Sequence, residues 1–155
     1  MLKYYNAMVV FEEIPDEITL AINITNCPCK CPSCHSKFLW ADTGTVLDDG
    51  ELFTLIGKND GITCVCFMGG DADPSYVNEL AKILKEKTQL KVGWYSGRDE
   101  LSELIDLKHF DYIKIGRYDD EFGPLNKNTT NQKFYFVTEN KELIDKTNLF
   151  WKKYF

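Results

Sequence analysis

The stretch NITNCPCKCPSCHSKFLW, Asn23 to Trp40, carries four of the chain's six cysteines, Cys27, Cys29, Cys31 and Cys34. Thiolates are soft donors, so a group this dense points to a metal centre or to redox chemistry. Three ligand sets can be drawn from it. Cys27, Cys31 and Cys34 give C-x3-C-x2-C; Cys29, Cys31 and Cys34 give C-x-C-x2-C; all four give a closed tetrathiolate. Structural zinc sites usually draw on two separated pairs. The only other cysteines, Cys64 and Cys66, stand one residue apart in a predicted strand, so both face the same way and read as small buried hydrophobes. An iron–sulfur cluster suits so compact a loop better. With three thiolates, one iron of a 4Fe–4S cube has no protein ligand, an open position for a chelating small molecule. Pro28 and Pro32 remove two amide donors and restrict the loop, leaving amides such as those of Lys30 and Ser33 for the cluster sulfurs.

A loop can present such ligands only from a rigid frame. Ile18, Leu20, Ile22 and Ile24 alternate with period two and predict a strand running straight into the cysteines. A helix is expected around Leu47, Leu52, Leu55 and Ile56, with Asp48 and Asp49 at its start. GITCVCFMGGD is apolar on both faces, as in a parallel strand covered on both sides, and it stops at Gly69-Gly70-Asp71. The clearest helix is PSYVNELAKILKEKT, where Val77, Leu80, Ala81 and Leu84 make one stripe. A strand at LKVGWYSG, a helix through Leu101, Leu104 and Ile105, and a strand at DYIKIGRY follow. NQKFYFVTEN reads as a last strand, and 141–155 as a terminal helix or a tail. Alternating strands and helices predict an α/β fold. It would be a single domain over 1–155, a partial (β/α) barrel or open parallel sheet of about five to six strands with flanking helices, too few for a complete barrel. Ligands in such folds sit at the carboxyl ends of the strands, the edge where the cysteine loop and the Gly-Gly-Asp loop both fall.

The 155 residues are 44% hydrophobic and 14% aromatic, the composition of a folded chain. A net charge of −6 argues against nonspecific nucleic-acid or membrane-surface binding. No run reaches the roughly 20 apolar residues that span a bilayer, and the first eleven residues do not read as a signal peptide. A cytoplasmic location is expected, where clustered cysteines hold metals or do redox chemistry rather than form disulfides.

Cys27, Cys31 and Cys34, placed after a first strand, resemble the CxxxCxxC signature of the radical S-adenosylmethionine enzymes. CPSCHSKFLWADTG is similar to the C-x-x-C-H-N-x-x-x-W stretch of the glycyl radical enzyme activases, keeping His35 and Trp40 and placing Ser36 where Asn is usual. FMGGDADP resembles the family's Gly-Gly-Asp/Glu-Pro motif, although Pro74 comes three residues after Asp71. That spacing leaves Asp71 and Asp73 both open as the acidic residue. WYSG resembles the next strand end of the group. IGRYDDEFGPLNKNTTNQKFY is similar to a segment near the end of the activase of anaerobic ribonucleotide reductase. The likeness runs from Ile18 to Tyr135.

The resemblance implies a 4Fe–4S cluster on Cys27, Cys31 and Cys34, with S-adenosyl-L-methionine chelating the open iron. Reductive cleavage of that cofactor would give a 5′-deoxyadenosyl radical that abstracts a hydrogen atom. Gly69 and Gly70 would let the methionine end approach the backbone, and Asp71 would accept from its ammonium group. Ser96 would reach the ribose or the carboxylate, and His35 would lie near the adenine. Cys29 is then the spare thiol, a solvent-facing bystander. So short a chain has little with which to enclose a small substrate. The implied partners are therefore a large glycyl radical enzyme, an anaerobic ribonucleotide reductase, offering a glycine loop, and a reduced flavodoxin- or ferredoxin-like electron donor. The alternatives are a compact enzyme of the same chemistry acting on a small heterocycle, and a zinc- or cluster-binding module without catalysis.

Overall fold

The computed structural model describes residues 1–31, 34 and 36–151. Among these, eight strands and two α-helices follow one another along the chain. They are β1 (Lys3–Val10), β2 (Thr19–Ile24), β3 (Thr45–Val46), α1 (Asp49–Gly57), β4 (Cys64–Met68), α2 (Pro74–Lys87), β5 (Lys91–Tyr95), β6 (Tyr112–Ile115), β7 (Lys133–Val137) and β8 (Leu143–Asp145). The strands form one open mixed sheet in the order β3-β1-β2-β4-β5-β6-β7-β8. Its centre, β2-β4-β5-β6, is parallel, and antiparallel pairs extend it on both sides. The α/β class is therefore present, with eight strands in place of the expected five to six and a sheet that is not wholly parallel.

The apolar run of β4 splits by parity. Val65 and Phe67 join the larger core with Leu20, Ile22 and Trp94, and there the stripe Val77, Leu80, Ala81 and Leu84 of α2 packs with Leu52 and Leu55 of α1. Cys64 and Cys66 face the other way, with Ile14 and Phe134, in the buried hydrophobic role their spacing predicts. Both helices start on an aspartate: Asp48 accepts from the Glu51 amide, and Asp73 from the Tyr76 amide, each satisfying an amide the first turn leaves unpaired.

No α-helix covers the second face among the described residues. The chain from Phe11 to Ile18 crosses it instead, with Ile14 fully buried. A Cβ on Gly93 would stand 2.8 Å from Ile14 Cδ1, and the Tyr95 hydroxyl donates to the Glu13 carbonyl. Ile14 thus fills the floor of that face, and the space above it lies at the carboxyl ends of the parallel strands.

The helix expected through Leu101, Leu104 and Ile105 is not formed; the next helical turn is a 3-10 turn at Leu107–His109. Ser102 Oγ accepts from the Leu104 amide, and Asp106 Oδ1 from the Lys108 amide. Both are local bonds that compete with helical pairing. The terminal segment is neither helix nor tail as far as it is described: β8 pairs with β7, and a 3-10 turn follows at Thr147–Phe150. No helix of the described residues is long and apolar enough to cross a membrane.

Candidate functional site

Asn23, Met68, Tyr95 and Lys114 stand in register on four adjacent parallel strands. This row, at the carboxyl ends, lies along a cavity of about 210 Å³. The cysteine loop supplies Cys27, Cys29, Cys31 and Cys34 to the walls, and Gly69, Asp71, Ser96 and Trp40 also line it. The two loops singled out from sequence therefore meet in one place. His35, expected near the adenine, lies outside the described residues.

Asp71 is the centre of the polar network. It is buried at 7% exposure, and its two oxygens take separate donors. Ser96 Oγ donates to Oδ1; the Gly97 amide donates to Oδ2 at 2.9 Å. The Cys29 thiol lies 3.6 Å from Oδ2 and donates there too. Asp73, the other acidic candidate, is held at the start of α2 and also pairs with the chain's N-terminal ammonium at 3.0 Å. The structure thus puts Asp71 in the cavity wall and Asp73 on the helix.

Three expectations shift in detail. Ser96 is 1% exposed, donates to Asp71 and accepts from the Arg98 amide at 3.1 Å. Its hydroxyl positions Asp71, and the residue lines the cavity. Gly70 has φ +97°, and a Cβ there would stand 2.6 Å from Val77 Cγ2 and 3.4 Å from Leu2 Cδ1. It turns toward the core, while Gly69 lines the cavity. Cys29 is no solvent-facing bystander. It is half-buried beside Asp71, and a side chain at Gly97 would come within 2.9 Å of its sulfur.

The thiols are electrostatically unequal. The neighbouring Cys29 side chain lowers the Cys27 pKa, against the opposing effect of burial. The Cys27 side chain in turn raises the Cys29 pKa, with burial and the Asp71 charge adding to it.

Lys114 was not legible as a site residue. It follows two apolar positions in DYIKIG, where a lysine would ordinarily face water; its register beside Tyr95 at the strand ends is what brings it inside. Its Nζ donates to the Gly116 and Ser96 carbonyls at 3.0 and 3.4 Å and lies 5.9 Å from the Tyr95 ring centroid. Burial pushes its pKa from 10.5 down to about 8, against the opposing pull of Asp71 and of the Cys31 and Cys29 sulfurs. The unfolded chain binds this proton up to about pH 10.4, so the penalty is complete below pH 8 and fades as pH rises toward that value. Lys114→Met removes it. The stability of the variant relative to the wild type should therefore fall, on the order of 2–3 kcal/mol between pH 7 and pH 10, by urea unfolding at the two values. A pH-independent difference would place the ammonium in water.

Whether these walls suit a cofactor can be judged by their chemistry. All four loop cysteines are free thiols, and the buried Trp40 Nε1–H has no acceptor among the described residues. No three of the described His, Cys, Asp or Glu side chains are grouped as ligands of one metal ion. A single ion requires ligands that converge on a point, whereas a cube takes one thiolate per iron and requires them to surround a volume. The donor set fits the second demand: soft thiols around a cavity, with a spare N–H beside them.

No family model, curated protein or solved structure matches the chain.

Proposed function

We propose that this chain is a radical S-adenosylmethionine activase that generates a glycyl radical on an anaerobic ribonucleotide reductase. One observation carries the reading: the cysteine loop and the Asp71 loop line the same cavity at the carboxyl ends of β2, β4, β5 and β6. A metal knuckle alone has no use for a buried carboxylate on the neighbouring loop and a half-buried amine on a facing strand. The partial-barrel form expected from sequence belongs to this reading, with β2, β4, β5 and β6 as its parallel part.

Cys27, Cys31 and Cys34 would hold a 4Fe–4S cluster with one iron left open. Bound there with S-adenosylmethionine and reduced, the cluster would supply a 5′-deoxyadenosyl radical for hydrogen abstraction. The chain's own part is to bind and orient. Asp71, fixed by Ser96 and Gly97, presents a carboxylate suited to an ammonium group. Lys114 spends two donors on carbonyls and has a third for a carboxylate. An amino acid's two charged ends thus find opposite charges across the cavity, and Gly69 keeps the wall between them free of a side chain.

A macromolecular substrate is favoured by the exposed aromatic surface beside the cysteine loop. Tyr5 and Phe38 are 58% and 52% exposed and meet with ring centroids 4.9 Å apart. Phe38 belongs to the turn whose Leu39 lines the cavity. Exposed aromatic pairs of this kind are common at protein interfaces. A reduced flavodoxin- or ferredoxin-like protein would supply the electron.

The test is anaerobic reconstitution with iron and sulfide. Brown protein with about four irons per chain should release 5′-deoxyadenosine when given S-adenosylmethionine and a reductant. With the partner reductase present, a glycyl EPR signal should appear. Colourless protein holding zinc, or product without any glycyl signal, would overturn the cluster or the activase respectively.

Asp71→Asn should weaken S-adenosylmethionine binding roughly tenfold to a hundredfold, the effect of removing one charge-assisted hydrogen bond. Asp73→Asn should leave affinity unchanged. Equilibrium dialysis on the reconstituted proteins decides; the opposite order would move the acidic role to the helix cap.

A further inference from the structure

Asn26 and Cys27 donate their amides to the carbonyls of Ala41 and Leu39, each at 3.0 Å. The two bonds clamp residues 39–41 against the start of the cysteine loop, with Trp40 between the two acceptors. Its own amide donates to the Lys37 carbonyl at 3.0 Å, and the Lys37 ammonium stands 5.8 Å from the centre of its ring. Trp40 is thus held by backbone bonds to the segment that carries Cys27, and it lines the cavity with the loop's thiols.

Among the described residues, three buried side-chain polar atoms have no partner: Thr19 Oγ1, Asn131 Oδ1 and Trp40 Nε1. Of these three residues, Trp40 is the one lining the cavity. Trp94 shows the ordinary outcome, since its Nε1 donates to the Gly69 carbonyl at 2.7 Å. An indole nitrogen can only donate, and a buried donor left unpaired costs about 1–3 kcal/mol. Such a group calls for an acceptor that occupies the cavity. Sulfur already accepts in this loop: Cys34 Sγ takes the Ser36 amide at 3.3 Å.

We propose that Trp40 Nε1–H donates to a sulfur of the 4Fe–4S cluster and raises its reduction potential. This rests on the reading of Cys27, Cys31 and Cys34 as cluster ligands. One-electron reduction adds negative charge that spreads over the cluster's sulfurs. A donor to them therefore stabilises the reduced form more than the oxidised one, and such hydrogen bonds are among the levers that set cluster potentials. Trp40, which ligates nothing, then sets how strong a reductant the cluster requires.

The test uses wild type, Trp40→Phe, Trp40→His and Trp151→Phe, reconstituted anaerobically with iron and sulfide and kept free of S-adenosylmethionine. Reduced cluster is followed by its EPR signal across a series of poised potentials. At a given potential, Trp40→Phe should hold about tenfold less reduced relative to oxidised cluster, a downward shift of about 59 mV for one electron. Trp40→His returns a ring N–H and should recover part of that loss. Trp151→Phe, at a residue 39% exposed and off the cavity, should titrate with the wild type. An unchanged or raised potential in Trp40→Phe overturns the bond, as does an equal fall in Trp40→His. A second readout needs no substitution. Wild type whose tryptophans carry the heavy nitrogen isotope in the indole should show a coupling of that nitrogen to the reduced cluster in pulsed EPR. Its absence overturns the bond, even where Trp40→Phe takes up no iron. A wild type that itself takes up no iron overturns the cluster reading and this inference with it. A loaded wild type with neither shift nor coupling removes the inference alone.

Discussion

Cys27→Ala, Cys31→Ala and Cys34→Ala should each lose iron and the brown 4Fe–4S absorbance after anaerobic reconstitution, while Cys29→Ala should retain about four irons per chain. Each of the three removes one iron's thiolate and leaves that iron to water, which a cluster held by only three protein ligands tolerates poorly. Cys29 differs in what it touches. Its thiol donates to Asp71 Oδ2, and its replacement still leaves Oδ2 the Gly97 amide. Iron and sulfide counts on the four variants in parallel decide the ligand set. Loss of iron in Cys29→Ala with retention in Cys27→Ala would select the C-x-C-x2-C alternative instead.

Gly70→Ala should be the costliest single methyl group near the site. The residue sits at φ +97°, where an L side chain is strained, and the new Cβ would meet Val77 Cγ2 at 2.6 Å. Val77 is fully buried on α2, so it cannot swing into solvent to make room. Backbone strain and overpacking together should lower stability by about 2–4 kcal/mol, read as a fall in the denaturation midpoint. Because Asp71 is the next residue, the surviving folded protein should also bind its ligand less well. A loss under about 0.5 kcal/mol would mean that the loop relaxes and that its glycine is not required.

The parts of this molecule that could be read from sequence are those in which one residue's neighbours lie close along the chain. The stripe of α2 declares itself because positions three and four apart share a helical face. The strand β4 does so because it is apolar at every position. β1 does not: KYYNAMVV mixes polar and aromatic residues, since the strand lies toward one side of the sheet, pairs with the two-residue β3, and is only partly buried. Its partners are found in space, outside any window of sequence. The same distinction governs the site. Cys27, Cys31, Cys34 and Asp71 are visible through local spacing, whereas Lys114 and the inward turn of Cys29 depend on strand register and on the absence of a side chain at Gly97. Gly70 was found for one reason and is needed for another, because a glycine's letter does not say which neighbour crowds it.

The uneven cover of the sheet has a consequence for how the protein opens. Amides in the middle of β4 and β5 lie under α2 in the large core, and their exchange with deuterium should require unfolding of the whole chain. The amides of Asn26 and Cys27 are tied only to the carbonyls of Ala41 and Leu39, each at 3.0 Å, and should exchange orders of magnitude sooner through local opening. The molecule keeps two clocks. The proposed cofactor would be taken in or given up on the fast one, while the fold that aims Asp71 and Lys114 runs undisturbed on the slow one.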